Sequence, residues 1–134
     1  MSLRITLRDG EQMVVNGAVL SARGRAEIIV ENRVSILRGR EVMQPSDATT
    51  PARRLYLACM MAYIDLAGRD RHQDEVLALL GDLMAAFETP NAKAACIAFA
   101  QSIATGDYYA ALGACRKLID HEAVALARVQ GIAA

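Results

Sequence analysis

The stretch "MQPSDATTPARRLYLACMMAYIDLAG", residues 43–68, decides how the chain is read, because the apolar period changes across it. Thr50 before Pro51 is a helix-start signal, an N-cap followed by proline at the first helical position, and it predicts a helix over about 51–67 ending near Gly68. Two features of that helix are unusual. Arg53 and Arg54 fall in its first turn, where the partial positive charge of a helix amino end disfavours a cation by roughly 0.3–1 kcal/mol at an exposed site. The segment "LYLACMMAYI" that follows is apolar around its whole circumference, so it must be surrounded, by the rest of the chain or by a partner.

Upstream of this stretch the period is that of strands. "LRITLRDG" alternates Leu3, Ile5 and Leu7 with Arg4, Thr6 and Arg8; "QMVVNGAVLS" contains Asn16–Gly17, a dipeptide suited to a tight hairpin turn; "AEIIVEN" and "VSILRGR" supply two more strands joined around Asn32–Arg33. Residues 2–44 therefore predict a small antiparallel sheet of four or five strands that needs something to pack on. Downstream the period is helical. A second helix is expected over about 72–88, with Asp74 and Glu75 in its first turn. A third is expected over about 90–105 after Thr89–Pro90, and a fourth is capped by Asp107 and carries Tyr108, Leu112, Cys115, Ile119, Ala123 and Leu126 on one face. The expected fold class is α+β: a small antiparallel, sheet or barrel-like β domain at 1–45, followed by a bundle of about four helices at 46–134 packed on it.

Composition narrows the function. With 134 residues and 54% hydrophobic content the chain can bury a respectable core. No apolar run approaches the ~20 residues of a membrane span, and the opening "MSLRITLRDG" lacks a secretory pattern, which predicts a soluble, cytoplasmic protein. Cys59, Cys96 and Cys115 each sit among apolar residues and read as buried reduced thiols. His72 and His121 have no metal-ligand spacing, His121 with Glu122 reads as a solvated helix face, and no glycine loop fits a nucleotide fingerprint. We therefore expect no enzyme activity, metal or cofactor.

The formal net charge of zero conceals an asymmetry: residues 1–54 hold nine arginines, no lysine and six acids, whereas residues 55–134 hold six basic residues and nine acids. Arginine is the better residue for bidentate contacts to phosphate. The asymmetry points either to a phosphate-binding surface or to two oppositely charged surfaces that attract each other.

The ordered series "DGEQMVVNGAVL", "VSILRGREVMQPSDATTPARRLY", "CMMAYID" and "GDYYAALGACRKLIDHEAVAL" resembles the FlbT family of flagellum-biosynthesis regulators over nearly the whole chain. Its most specific elements are Met43-Gln44-Pro45 followed by Ala48-Thr49-Thr50-Pro51-Ala52-Arg53-Arg54, and Tyr108-Tyr109 through Lys117-Leu118-Ile119. The resemblance implies a post-transcriptional repressor that associates with the 5′ untranslated leader of flagellin messenger RNA, promotes its decay, and works with a small partner, FlaF. The sheet half, with Gly10-Glu11 after a basic first strand and "RGREVMQ" at the end of the last, is also similar to the carbon storage regulator CsrA, a small β protein that binds messenger leaders. That likeness implies RNA contacts at Arg4 and Arg8 and at Arg38 or Arg40.

The candidate RNA-binding residues are therefore Arg4, Arg8, Arg38, Arg40, Arg53 and Arg54, with the free N–H groups at the first helix start as an accompanying anion site. Pairing of Arg53 and Arg54 with Asp47, Glu41 or a carboxylate of the helical half is the alternative. Tyr56, Met60, Met61 and Tyr63 are the candidate partner-binding side chains, if the first helix is a docking surface for flagellin or FlaF rather than the centre of the core. A homo-oligomer or tight partner complex is expected, because sheet and helix together leave more apolar surface than a short bundle covers.

Overall fold

The computed structural model describes residues 2–131. Five strands, β1 (Leu3–Leu7), β2 (Gln12–Val15), β3 (Ala18–Ser21), β4 (Ala26–Val30) and β5 (Ile36–Arg38), precede four helices, α1 (Pro51–Ile64), α2 (Arg69–Ala86), α3 (Pro90–Ala104) and α4 (Tyr108–Val129). The α+β reading holds, but the strands form two open sheets and no closed barrel. β1 pairs antiparallel with β4, and a second sheet runs in the order β3-β2-β5. The strands flanking Asn32–Arg33 are therefore not partners, since the chain crosses there from one sheet to the other.

The reason lies in β2. Met13 and Val14 are adjacent, so their side chains leave opposite faces of the strand, yet both are buried. Met13 packs with Ile5 and Leu7 of β1, backed by Val15, Ile28 and Ile36. Val14, with Leu37 of β5, packs into the helical core. A strand covered on both faces loses its polar alternation, and the β3-β2-β5 sheet is accordingly the middle of three layers, with the β1/β4 ribbon outside it and the helices inside.

Helix boundaries follow their caps. Thr50 Oγ1 accepts from Arg53 N at 3.3 Å, Thr89 Oγ1 from Ala92 N at 3.2 Å and Asp107 Oδ1 from Ala110 N at 3.0 Å. The first helix ends three residues early, at Ile64, and α2 begins at Arg69 rather than about 72. Arg69 explains both: its Nε donates to Ala62 O at 2.7 Å and its Nη2 to Tyr63 O at 3.3 Å, satisfying the last carbonyls of α1 from the first residue of α2. Asp70, not Asp74 or Glu75, consequently occupies the first turn of α2.

α1 is the centre of the molecule. Ala52, Leu55, Tyr56, Ala58, Cys59, Met60 and Ala62 are buried on it, pointing to every side. α2 covers one flank with Val76, Leu80 and Leu83, α4 another with Leu112, Cys115 and Leu118, and the sheet supplies Val14 and Leu37. α3 packs chiefly on α4, through Cys96, Phe99 and Ile103. Sheet and helix one thus cover each other within one chain. Large apolar side chains that stay exposed include Val19 and Leu20 on the edge strand β3, Leu3 and Ile29 on the outer ribbon, Leu66, Leu77 and Ile97 among the helices, and Val124, Leu126 and Val129 on α4. All three cysteines are buried free thiols, as expected, and burial pushes Cys59 up to about 12. Among the described residues no helix is long and apolar enough to cross a membrane.

The β2–β3 turn is Asn16 at φ 49° and Gly17 at φ 88°, the left-handed pair a two-residue hairpin requires. A Cβ at Gly17 would also meet Ile64 O at 3.4 Å. Gly17→Ala is expected to lower stability by about 1–2 kcal/mol in urea unfolding; an unchanged midpoint would contradict this account of the turn.

Candidate nucleic-acid interface

The start of α1 is closed from inside the protein. Ala52 N donates to Glu122 Oε2 of α4 at 2.7 Å, Arg53 N is held by Thr50, and Arg54 N donates to Thr50 O at 2.8 Å. The open anion site expected here is therefore filled by the chain's own carboxyl group. Glu122 is only 7% exposed, so it is no part of a solvated face. It continues the core stripe of α4, which runs Tyr108, Ala111, Leu112, Cys115, Leu118, Glu122; Ala123 and Leu126, assigned to that stripe from the sequence, are exposed. The i, i+4 step from Leu118 was the available signal for a polar residue aimed at the core. With the helix end satisfied by Glu122 and Thr50, the unfavourable placement of two arginines is offset locally.

Arg53 and Arg54 are both exposed, and among the described residues neither pairs with Asp47, Glu41 or any other carboxylate. The remaining candidate arginines divide by role. Arg4, on the outer face of β1, pairs with Glu27 of β4 at 2.9 Å between side chains that are both mostly exposed, an interaction contributing about 0–1 kcal/mol. Arg8 is exposed just beyond β1. Arg38 reaches back to donate from Nη2 to Thr6 O at 3.1 Å, which lies between Arg4 and Arg8 along the chain. Arg40 is exposed in a short 3-10 turn, Gly39–Glu41, and Arg53 lies one turn before Tyr56 on the same stripe of α1.

The second group surrounds Glu41, where the sheet hands over to the helices. Its carboxylate accepts from Arg38 N at 2.9 Å and from the Tyr109 hydroxyl, and its carbonyl accepts from the Tyr56 hydroxyl at 2.8 Å. Arg116 Nη2 donates to the Tyr56 oxygen at 3.4 Å with its guanidinium 5.9 Å from that ring. The hydrogen bond to Glu41, followed by burial, pushes the Tyr109 phenol up to about 12, since ionising it would set an anion against a carboxylate.

This network relocates the candidate partner-binding residues. Tyr56 and Met60 are core residues at 2% and 4% exposure, because the 39–43 segment folds over their stripe of α1 and Met43 N donates to Met60 Sδ at 3.3 Å. As the chain is folded they present no surface to a partner. Met61 and Tyr63 are half-buried, and Ile36 N donates to the Tyr63 hydroxyl at 3.2 Å. From the sequence Glu41 was read only as an ion-pair partner for Arg53 and Arg54 and Glu122 as part of a solvated face, while Tyr109 and Arg116 were given no site role, because the roles of all four depend on contacts between distant segments. Among the described residues no cluster of His, Cys, Asp and Glu could hold a metal ion.

Comparison with known proteins covers most of the chain. The family model described as flagellar protein FlbT matches residues 3–126. The chain is 38% identical over 123 residues to a probable flagellum biosynthesis repressor protein FlbT of Caulobacter sp. strain K31, covering 91% of this chain and 94% of the relative. It is 37% identical over 123 residues to the flagellum biosynthesis repressor protein FlbT of Caulobacter vibrioides strain CB 15, covering 91% and 87%. A similar protein of Chelativorans sp. strain BNC1 is 31% identical over 131 residues, 96% of this chain and 90% of the relative. No solved structure matches the chain.

The cap from Glu122 has a direct test. Glu122→Ala leaves a buried N–H without a partner and is expected to cost about 1–3 kcal/mol, whereas Glu122→Gln keeps an acceptor and costs less. Thermal and urea unfolding read both; an alanine variant as stable as the parent would remove the cap from the account.

Proposed function

This chain belongs to the FlbT family, and on that premise we propose that it is a cytoplasmic repressor of flagellum biosynthesis acting after transcription: it binds the 5′ untranslated leader of flagellin messenger RNA through arginines and promotes decay of the message. The names of the relatives support the repressor role. The observation that carries the RNA reading is that Arg8, Arg40, Arg53 and Arg54 are exposed and, among the described residues, their side chains are committed to no ion pair or hydrogen bond. Guanidinium groups left free in this way suit bidentate contacts to phosphate. Arg4 joins them at small cost, because its pair with Glu27 is solvent-screened. We read the protein as acting by binding rather than by covalent catalysis; its thiols lie in the core, and burial raises the pKa of each.

A second reading, an adaptor that binds flagellin or the partner FlaF, is favoured by a different surface. The last turns of α4 expose Val124 and Val129 beside a groove of about 390 Å³ that also includes Phe87 and His121. In that reading the docking face is the end of α4 instead of α1.

Salt separates the two. Binding to flagellin leader RNA is expected to weaken steeply as salt rises, with the slope of log affinity against log salt falling by about 0.7 for each phosphate contact removed from a single strand. The double change Arg53→Glu and Arg54→Glu is expected to weaken RNA binding and flatten that slope without lowering the melting temperature, because acids suit a helix start. A lower melting temperature with unchanged RNA affinity for the folded protein removes these two arginines from the site. Salt-insensitive binding to flagellin or FlaF, with no RNA binding, favours the adaptor.

A further inference from the structure

A cleft of about 510 Å³ opens where the β4–β5 connection, the end of α1 and the α3–α4 turn meet. Asn16, Arg33, Tyr63, Arg69, Tyr108 and Tyr109 line it. None of these residues belongs to the arginine set above, and the sequence separates them into both halves of the chain. We propose that this cleft receives an unpaired nucleobase of single-stranded RNA, stacked on the exposed Tyr109 ring, with Arg33 on the adjoining phosphate. The inference rests on the RNA-binding reading and specifies a part of the site which that reading leaves undefined.

Three observations carry it. First, aromatic faces are assembled and held in place. The Tyr63 and Tyr109 ring centroids lie 5.6 Å apart at an interplanar angle of 43°, and Tyr109 is 49% exposed. Each ring is tied by its hydroxyl: Tyr63 to Ile36 N, Tyr109 to Glu41, and Tyr108 to Gln73 Oε1 at 3.3 Å. Rings fixed before binding lose little conformational freedom when a base arrives.

Second, the charge is right for a nucleotide. Arg33 is exposed and, among the described residues, unpaired, while the Arg69 guanidinium sits 5.0 Å from the Tyr108 ring centroid, pinned by two α1 carbonyls. Among the described residues the one carboxylate lining the cleft, Asp107, is engaged in capping α4 through Ala110 N. Third, hydrogen-bond donors remain. Asn16 Oδ1 accepts from Ser35 N at 2.9 Å, which leaves the amide NH₂ of Asn16 for an acceptor on the incoming base. The volume falls in the ordinary range of small-ligand sites. Stacked bases inside a duplex have no free faces, so the chemistry selects single strands.

The test compares a single-stranded oligoadenylate, an abasic ribose-phosphate oligomer of the same length and the corresponding duplex, by fluorescence anisotropy on the intact chain at two salt concentrations. Tyr109→Leu is expected to weaken oligoadenylate binding roughly tenfold without changing the salt slope, while Tyr109→Phe, which keeps the ring but loses its tie to Glu41, weakens it less. The abasic oligomer is expected to bind both proteins equally and more weakly. Arg33→Ala is expected to lower the salt slope by about 0.7. Melting temperatures establish that each variant is folded; should Tyr109→Leu fail to fold, Arg33→Ala and the abasic comparison decide. Equal affinity of the parent for base-bearing and abasic oligomers, or of folded Tyr109→Leu and parent for oligoadenylate, overturns the cleft while leaving arginine-mediated RNA binding standing. No binding to any of the three oligomers overturns both.

Discussion

The structure depends on enclosing α1. Ten consecutive apolar residues, Leu55 to Ile64, make a helix that no single layer can cover, so α2, α4 and the middle sheet each take one side. The cost of burying its amino end is met by Glu122, whose carboxyl reaches from α4 to Ala52 N across 70 positions of sequence. That hydrogen bond ties α4 to the start of α1, and the Cys115 thiol, 3.6 Å from Ala52 O, packs beside it.

Enclosure has a consequence for the surface. Because the 39–43 segment must close the last side of α1, the end of the sheet is drawn onto the tyrosines of the helices. Glu41 is the hinge pin: Arg38, Tyr56 and Tyr109 converge on its carboxylate and carbonyl. Arginines contributed by the strands and aromatic rings contributed by the helices, which look segregated along the chain, are thereby placed on neighbouring surfaces. A basic sheet alone offers phosphate contacts without stacking; a helical bundle alone offers rings without charge. The junction offers both.

What was legible in the sequence was local. Asn16–Gly17, the caps Thr50, Thr89 and Asp107, and the apolar girdle of α1 each declare themselves within a few residues, since turn angles and cap hydrogen bonds are satisfied at short range. The order of the strands was not. β4 and β5 follow one another but pair with β1 and β2, because the choice is made by which faces β2 can bury, a property of three layers rather than of one hairpin. Glu122 was misplaced for a related reason: polarity suggested solvent, whereas its phase on α4 and the unsatisfied amide of Ala52 require the core. The candidate arginines were legible as a composition, but the rings that complete the cleft, Tyr63, Tyr108 and Tyr109, became neighbours of Arg33 only through the fold.

The central claim is that sheet and helices form one body around α1, and native-state hydrogen exchange tests it residue by residue. The amides of Ala52, held by Glu122, of Ile36, held by Tyr63, and of Cys59 in the middle of α1 are predicted to exchange through the same global opening. Their exchange free energies should merge at low denaturant. If Ile36 and Ala52 instead exchange through an opening well below that of Cys59, the sheet and the α4 cap are separable from α1, and the junction that brings arginines and tyrosines together is not a fixed feature of the protein.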